Sequence, residues 1–306
     1  MKKSMMLLML FCGVLLSAVE LKVLAIGNSF SYSTKNELPK IVNSDPSCKL
    51  VLDVTSAMLG GCTLERHWNN HVKSEKDSTY TPYAGKKSTL RAALTKEKWD
   101  IVTIQQGSPR SWRMESYEPY IGNLIKLIKE LAPTAEIMIQ QTWSYNAVAP
   151  QFDPQHKWAW KVDGKQMTQK MMYDMLTECY TTYAKKYNLR MIPTGNAVQL
   201  YREAMGKKLI SAEPADYKNF IKPQVPVTND VAGSFAWRKD KKTGEEKLRT
   251  DAIHLNLRGQ YLQSLVWYAF MFGKDPEKVT YKPQSMTEEE AALLKKCAKE
   301  AVSAKQ

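Results

Sequence analysis

The chain has 306 residues, 43% of them hydrophobic, and a formal net charge of +13. That length allows one large α/β domain or two small ones, with enough apolar content for a sizeable core. The basic excess is not gathered into a dense run: lysines alternate with glutamate along helical stretches such as Lys126 to Glu130 and Glu288 to Lys299. It therefore describes a solvated face and argues against nucleic-acid binding.

In chain order, residues 1–18 have the make-up of a secretory signal peptide. Lys2 and Lys3 form a positive start, Met5 to Leu16 is apolar, and Leu16-Ser17-Ala18 offers a small residue for cleavage. The apolar stretch is too short to span a bilayer. Phe11 precedes Cys12 where a lipoprotein signal would need a small residue, so no lipid anchor is expected. No other segment is long and apolar enough to cross a membrane. The mature chain is expected to be exported, periplasmic or extracellular, with no membrane association after cleavage.

Five apolar runs are predicted strands: Lys22–Ile26, Leu50–Thr55, Asp100–Gln105, Glu136–Gln140 and Arg190–Ile192. Between and after them, helical periods cover Lys35–Val42, Thr63–His71, Thr89–Lys96, Tyr117–Leu131, Met167–Tyr187, Ala197–Met205 and Leu255–Phe272. This alternation predicts a three-layer α/β/α fold with a mainly parallel five-stranded sheet. Ligands of such sheets sit at the carboxyl ends of the strands, where Ser29, Gly60-Gly61 and Gln105-Gln106 all fall. Two stretches break the rhythm. One, near 143–164, is rich in Trp, Pro, Gln and Asn. The other, near 207–249, holds prolines and a basic hairpin, Phe235–Arg238 and Lys247–Arg249 around Thr243-Gly244. Both read as loop insertions bordering the site, within a single domain over 19–306. The tail, Thr287 to Val302, is an amphipathic helix capped by Thr287. Met167, Met171, Met172 and Met175 recur at helical spacing and form a core stripe.

Removal of the signal would leave Cys48, Cys62, Cys179 and Cys297. Export permits disulfides, but no spacing selects a pairing. Without C-x-x-C pairs or a Cys/His cluster, no metal and no cofactor are expected. His67 and His71 stand four apart on a predicted helix, but Trp68-Asn69-Asn70 between them lacks a metalloprotease glutamate and no third ligand is evident. His67 either lines the substrate pocket or is an ordinary helix histidine.

Two short motifs carry the chemistry. Gly27-Asn28-Ser29-Phe30-Ser31 follows the first strand, and Asp251-Ala252-Ile253-His254 precedes the helical run at Leu255. A serine hydroxyl needs a base in contact with it, and the imidazole needs an acid to fix its tautomer. The spacing of Asp251 and His254 predicts two side chains facing one way on a single turn. Taken with Gly60-Gly61, the chain resembles the SGNH/GDSL hydrolase superfamily, in an exported bacterial branch, from Leu21 to about Gly273. The resemblance implies an SGNH/flavodoxin-like fold, with Ser29 as nucleophile, His254 as base and Asp251 as its orienter. Backbone N–H groups of Ser29 and Gly61 are the expected oxyanion donors, glycine suiting close approach of backbone to substrate. The third block departs from the family pattern, because Gly-x-Asn-Asp reads Gly107-Ser108-Pro109-Arg110. The side chains of Gln105, Gln106 or Ser108 are the substitutes for its missing donor. Asn28, Gly60, His67, Ser108 and Trp143 are the expected substrate contacts.

Trp112, Trp143, Trp158, Trp160 and Trp237 lie in or beside loops, either as platforms for sugar rings or as loop packing. The resulting expectation is a secreted serine esterase acting on a small-molecule or polysaccharide ester, such as a carbohydrate O-acetyl group. The alternatives are a lipid or thioester hydrolase, and a non-catalytic glycan-binding protein on the same scaffold. Neither substrate details nor oligomeric state are legible in the residues.

Overall fold

The computed structural model describes residues 17–211 and 220–304. The expected signal peptide lies outside them apart from Ser17 and Ala18, as does part of the second insertion.

Five strands form one wholly parallel sheet in the order β2-β1-β3-β4-β7: β1 (Val19–Ile26), β2 (Cys48–Asp53), β3 (Ile101–Ile104), β4 (Glu136–Gln140) and β7 (Arg190–Ile192). All five predicted strands are present, with ends shifted by up to three residues. The burial explains why they were visible. β3 is buried at every position, and β1 from Val23 to Ile26, so each reads as an unbroken apolar run. β2, at the sheet edge, alternates between exposed and more buried positions.

Helices cover both faces. α2 (Thr34–Asn43), α7 (Thr194–Met205), α8 (Leu257–Phe272) and α9 (Glu288–Ser303) pack together on one side. On the other lie α3 (Leu64–Lys76), α4 (Leu90–Thr95) and α5 (Tyr120–Leu131), with α6 (Gln169–Tyr187) leading into β7. α8 is buried over nearly its whole surface, consistent with an apolar sequence that has no polar stripe. α9 begins with a reciprocal capping box between Thr287 and Glu290. No helix among the described residues is long and apolar enough to cross a membrane.

The insertions carry two small hairpins. β5 (Lys161–Val162) and β6 (Lys165–Gln166) turn at Asp163-Gly164, both with positive φ. β8 (Ala232–Lys239) and β9 (Glu246–Leu255) form a longer antiparallel pair. The basic hairpin is thus present but longer than predicted, and it reaches Leu255. Asp251 and His254 therefore lie on a strand, not on a turn opening a helix.

The four cysteines Cys48, Cys62, Cys179 and Cys297 are buried free thiols. Burial pushes the Cys62 thiol up to about 12, which keeps it protonated and unreactive beside the site.

Candidate active site

β1 delivers the serine. Its last residue, Ile26, is followed by Gly27, whose N–H donates to Ala57 O and whose carbonyl accepts from Leu59 N. This ties the start of the serine turn to the 57–62 loop. A Cβ on Gly27 would collide with the Ser31 hydroxyl and crowd the Gln105 amide, so a larger residue there would displace the Ser31–Gln105 hydrogen bond. Asn28 then caps α1 (Ser29–Tyr32), accepting from Phe30 N at 3.0 Å. Its Nδ2 donates to Cys62 O at 2.9 Å. Ser29 is the first residue of that turn, half-buried, and has no acceptor for its N–H within the helix.

β9 delivers the histidine. Residues three apart on a regular strand would face opposite ways. Here Asp251 Oδ1 accepts from both Ile253 N and His254 N at 3.1 Å, bending the strand end so that the two side chains meet. Asp251 Oδ2 then lies 2.7 Å from His254 Nδ1, and His254 Nε2 lies 2.7 Å from Ser29 Oγ. A carboxylate can only accept, so Nδ1 carries the proton and Nε2 is left to accept from the serine hydroxyl. Burial raises the Asp251 carboxyl, but hydrogen bonds from the His254 ring and backbone outweigh it and hold the group at about 2.

The position of β9 is fixed from three sides. Asn256 caps α8 through Arg258 N and Gly259 N, and its amide donates to Asp230 O and Gly233 O. Trp143 Nε1 donates to Ile253 O at 2.9 Å, and Asn146 N donates to Ala252 O at 2.8 Å. A buried ion pair, Arg202 with Asp230, also binds the Ser144 carbonyl, joining α7 to the same loop. The first insertion thus functions as a brace for the histidine.

Several predicted site residues sit elsewhere than expected. Trp143 is fully buried, stacked on Phe30 at 4.0 Å between centroids, and is not a substrate platform. His67 is also fully buried; it bonds Tyr83 Oη through Nδ1 at 2.9 Å and the Gly27 carbonyl through Nε2 at 3.2 Å. Burial lowers its pKa to about 4, so it is a neutral prop beneath the serine turn. Asn28 has its amide committed to Phe30 N, the Gln105 side chain and the Cys62 carbonyl. Ser108 is buried, its hydroxyl 2.9 Å from Tyr145 Oη. Gly60 and Gly61 are exposed on the loop beside Asn28, and Gly61 adopts a positive φ of 60°.

The two glutamines are likewise corrected. Gln105 donates from Nε2 to Asn28 Oδ1 at 2.8 Å and accepts from Ser31 Oγ at 2.9 Å. Gln106 accepts from Leu64 N and Gly107 N and donates to Ser116 O and Oγ. Both are buried. Their amides hold the serine turn and the start of α3, respectively, so neither is aimed at an oxyanion.

A cleft of ≈ 680 Å³ opens beside His254 and Asp251, between the 148–156 loop and the β8–β9 hairpin. Sequence reasoning missed the lining residues Arg238 and Arg249, although the two-residue alternation of the hairpin places them on one face. Of the loop tryptophans, Trp158 is the most open, at 58% exposure, while Trp112 is buried and Trp160 packs against Tyr145. Trp237 donates its indole N–H to Gln224 O.

No curated protein matches the chain. Its fold is similar to that of a DUF4886 family protein from Bacteroides uniformis, at 23% identity, with a TM-score of 0.68 over 93% of this chain and 95% of that one. Fainter likenesses carry no argument. One is to a member of the lipolytic protein G-D-S-L family from Veillonella parvula, at 11% identity and TM-score 0.39 over 83% and 99%. Another is to phospholipase A1 from Streptomyces albidoflavus, at 11% and 0.35 over 78% and 94%. The model of the family DUF4886, described as a domain of unknown function, matches residues 22–208, and the chain belongs to that family.

Proposed function

We propose that the protein is an exported serine esterase of the SGNH type, removing an acyl group, chiefly O-acetyl, from a carbohydrate. The observation that carries this reading is the unbroken contact series Ser29 Oγ, His254 and Asp251, with two links of 2.7 Å. Ser29 attacks the ester carbonyl as its proton passes to His254 Nε2. Asp251, ionised over the working range, steadies the resulting imidazolium. His254 then protonates the departing sugar oxygen, leaving an acyl-serine. Water, deprotonated by the same ring, attacks that intermediate and releases the acid.

The backbone N–H of Ser29 and of Gly61 are the donors for the oxyanion. With Gln105 and Gln106 committed elsewhere, the site works with two donors. Each donor contributes on the order of 10² to 10³ in rate. Asp153, His156, Arg238 and Arg249 give the mainly apolar cleft a set of polar contacts that suit carbohydrate hydroxyls. Acetate release from p-nitrophenyl acetate and from acetylated polysaccharides tests the reading. Ser29→Ala is expected to abolish both, and turnover that survives it excludes this nucleophile.

A further inference from the structure

The β8–β9 hairpin carries more than the histidine. Ser234, Ala236 and Arg238 share one face with their partners Asp251, Arg249 and Lys247. Three of those positions, Ala236, Arg249 and Arg238, lead away from the Asp251 end along the wall of the cleft. At about 3.3 Å per residue, the Arg238 pair lies roughly 13 Å from Asp251. Around the hairpin tip, six basic residues (Arg238, Lys239, Lys241, Lys242, Lys247, Arg249) face three acidic ones (Asp240, Glu245, Glu246). Arg249 is paired with Asp240 at 2.8 Å and Lys247 with Glu245 at 3.0 Å. Arg238 is exposed, lines the cleft and has no ion pair among the described residues. On the opposite wall, Asp153 accepts from Gln155 N, and His156 packs its ring on the exposed Trp158.

An exposed cation in the wall of the cleft, with an open indole packed behind the lining residue His156, suits a sugar chain that carries negative charge. We infer that the hairpin face selects anionic carbohydrate esters, with Arg238 gripping a carboxylate or sulfate on a sugar remote from the scissile bond. Arginine suits this task because its planar fork bonds either oxyanion in pairs. The inference rests on the esterase reading for the position of the ester, but its test does not need turnover.

Ser29→Ala protein is titrated by calorimetry with acetylated trigalacturonate, acetylated xylotriose and an acetylated, sulfated galactotriose. The anionic trisaccharides are expected to bind at least about tenfold tighter than the neutral one, on the order of one charge-assisted hydrogen bond. Whichever of the two binds tighter identifies the source of the charge. Adding Arg238→Gln should erase the preference, whereas Lys239→Gln, on the other face of the strand, should keep it. In the active protein, Arg238→Gln should lower the kcat/KM ratio of uronate over neutral ester about tenfold, through KM. Equal binding of neutral and anionic trisaccharides overturns the inference, as does an equal loss in Lys239→Gln. Failure of the esterase reading shows separately, as ester turnover that survives Ser29→Ala.

Discussion

Trp143 lies flat on Phe30, with 4.0 Å between ring centroids and 4° between planes, and its indole N–H holds the carbonyl of Ile253. Phe30 adjoins the serine and Ile253 adjoins the histidine. One buried side chain therefore fixes the spacing of two groups that stand 225 positions apart in the chain. Trp143→Phe keeps an aromatic ring and removes the N–H. It should lower kcat about tenfold with little change in KM, because a small displacement of His254 is felt in the transition state. Loss of Trp143 to Ala should cost about 3 to 5 kcal/mol of stability. Steady-state kinetics and urea unfolding check the pair of expectations.

Asp251→Asn separates the two roles of the carboxylate. The amide oxygen can still accept from Ile253 N and His254 N, so the bend in β9 survives. Its NH₂ cannot accept from Nδ1–H and favours the wrong imidazole tautomer. The expected loss is on the order of 10³ to 10⁴ in kcat with an unchanged fold by circular dichroism. Because hydrogen bonds from the His254 ring and backbone hold Asp251 at about 2, its carboxylate stays ionised in mild acid and is not the source of any fall in wild-type activity there. Equal turnover of Asp251→Asn and wild type would remove Asp251 from the mechanism.

The glutamines make a matched test. Gln105→Leu frees the Asn28 and Ser31 side chains that shape the serine turn, and should reduce kcat more than stability. Gln106→Leu removes the partner of Leu64 N, Gly107 N and Ser116 O, while the Ser116 hydroxyl keeps its bonds to Arg110 O and Arg113 O. It should destabilise by about 2 to 4 kcal/mol, a sum over several unmet groups, and spare kcat in the folded fraction. Thermal melts beside turnover numbers distinguish the two patterns.

His67 predicts a pH dependence of folding. Its folded value is depressed from 6.5 to about 4, so the unfolded chain binds a proton that the native protein refuses. Stability from this residue is therefore complete above about pH 6.5 and is lost as pH falls toward 4. The loss is on the order of 3 kcal/mol in all. His67→Gln should flatten the melting temperature between pH 7 and pH 5 relative to wild type. Parallel curves for the two proteins would contradict the neutral, buried assignment.

Much of this architecture is legible in the residues because parallel, doubly covered strands leave unbroken apolar runs, as Val23 to Ile26 and Ile101 to Ile104 do. The serine motif and the Asp-x-x-His motif were also visible, since each is local. What could not be read was where buried amides point. Gln105 and Gln106 stand side by side at the end of β3, and only the packed loops show that one braces Asn28 and the other α3. The strand setting of Asp251 and His254 was hidden for a related reason: the two carboxylate–backbone bonds that bend β9 mimic a helical turn in spacing. The small β5–β6 hairpin did leave a signal, Asp163-Gly164, a dipeptide suited to the positive φ values found there. Trp143 and His67 are polar-tipped residues beside a site, yet the core claims both.

In the proposed mechanism Ser29 forms a covalent acyl intermediate. The most direct measurement is peptide mass spectrometry after treatment with a fluorophosphonate, which traps an activated serine as a stable ester. One modified peptide is expected, carrying the adduct on Ser29, and none in Ser29→Ala or after prior acid unfolding. An unmodified Ser29 in protein that still cleaves acetyl esters would contradict that mechanism.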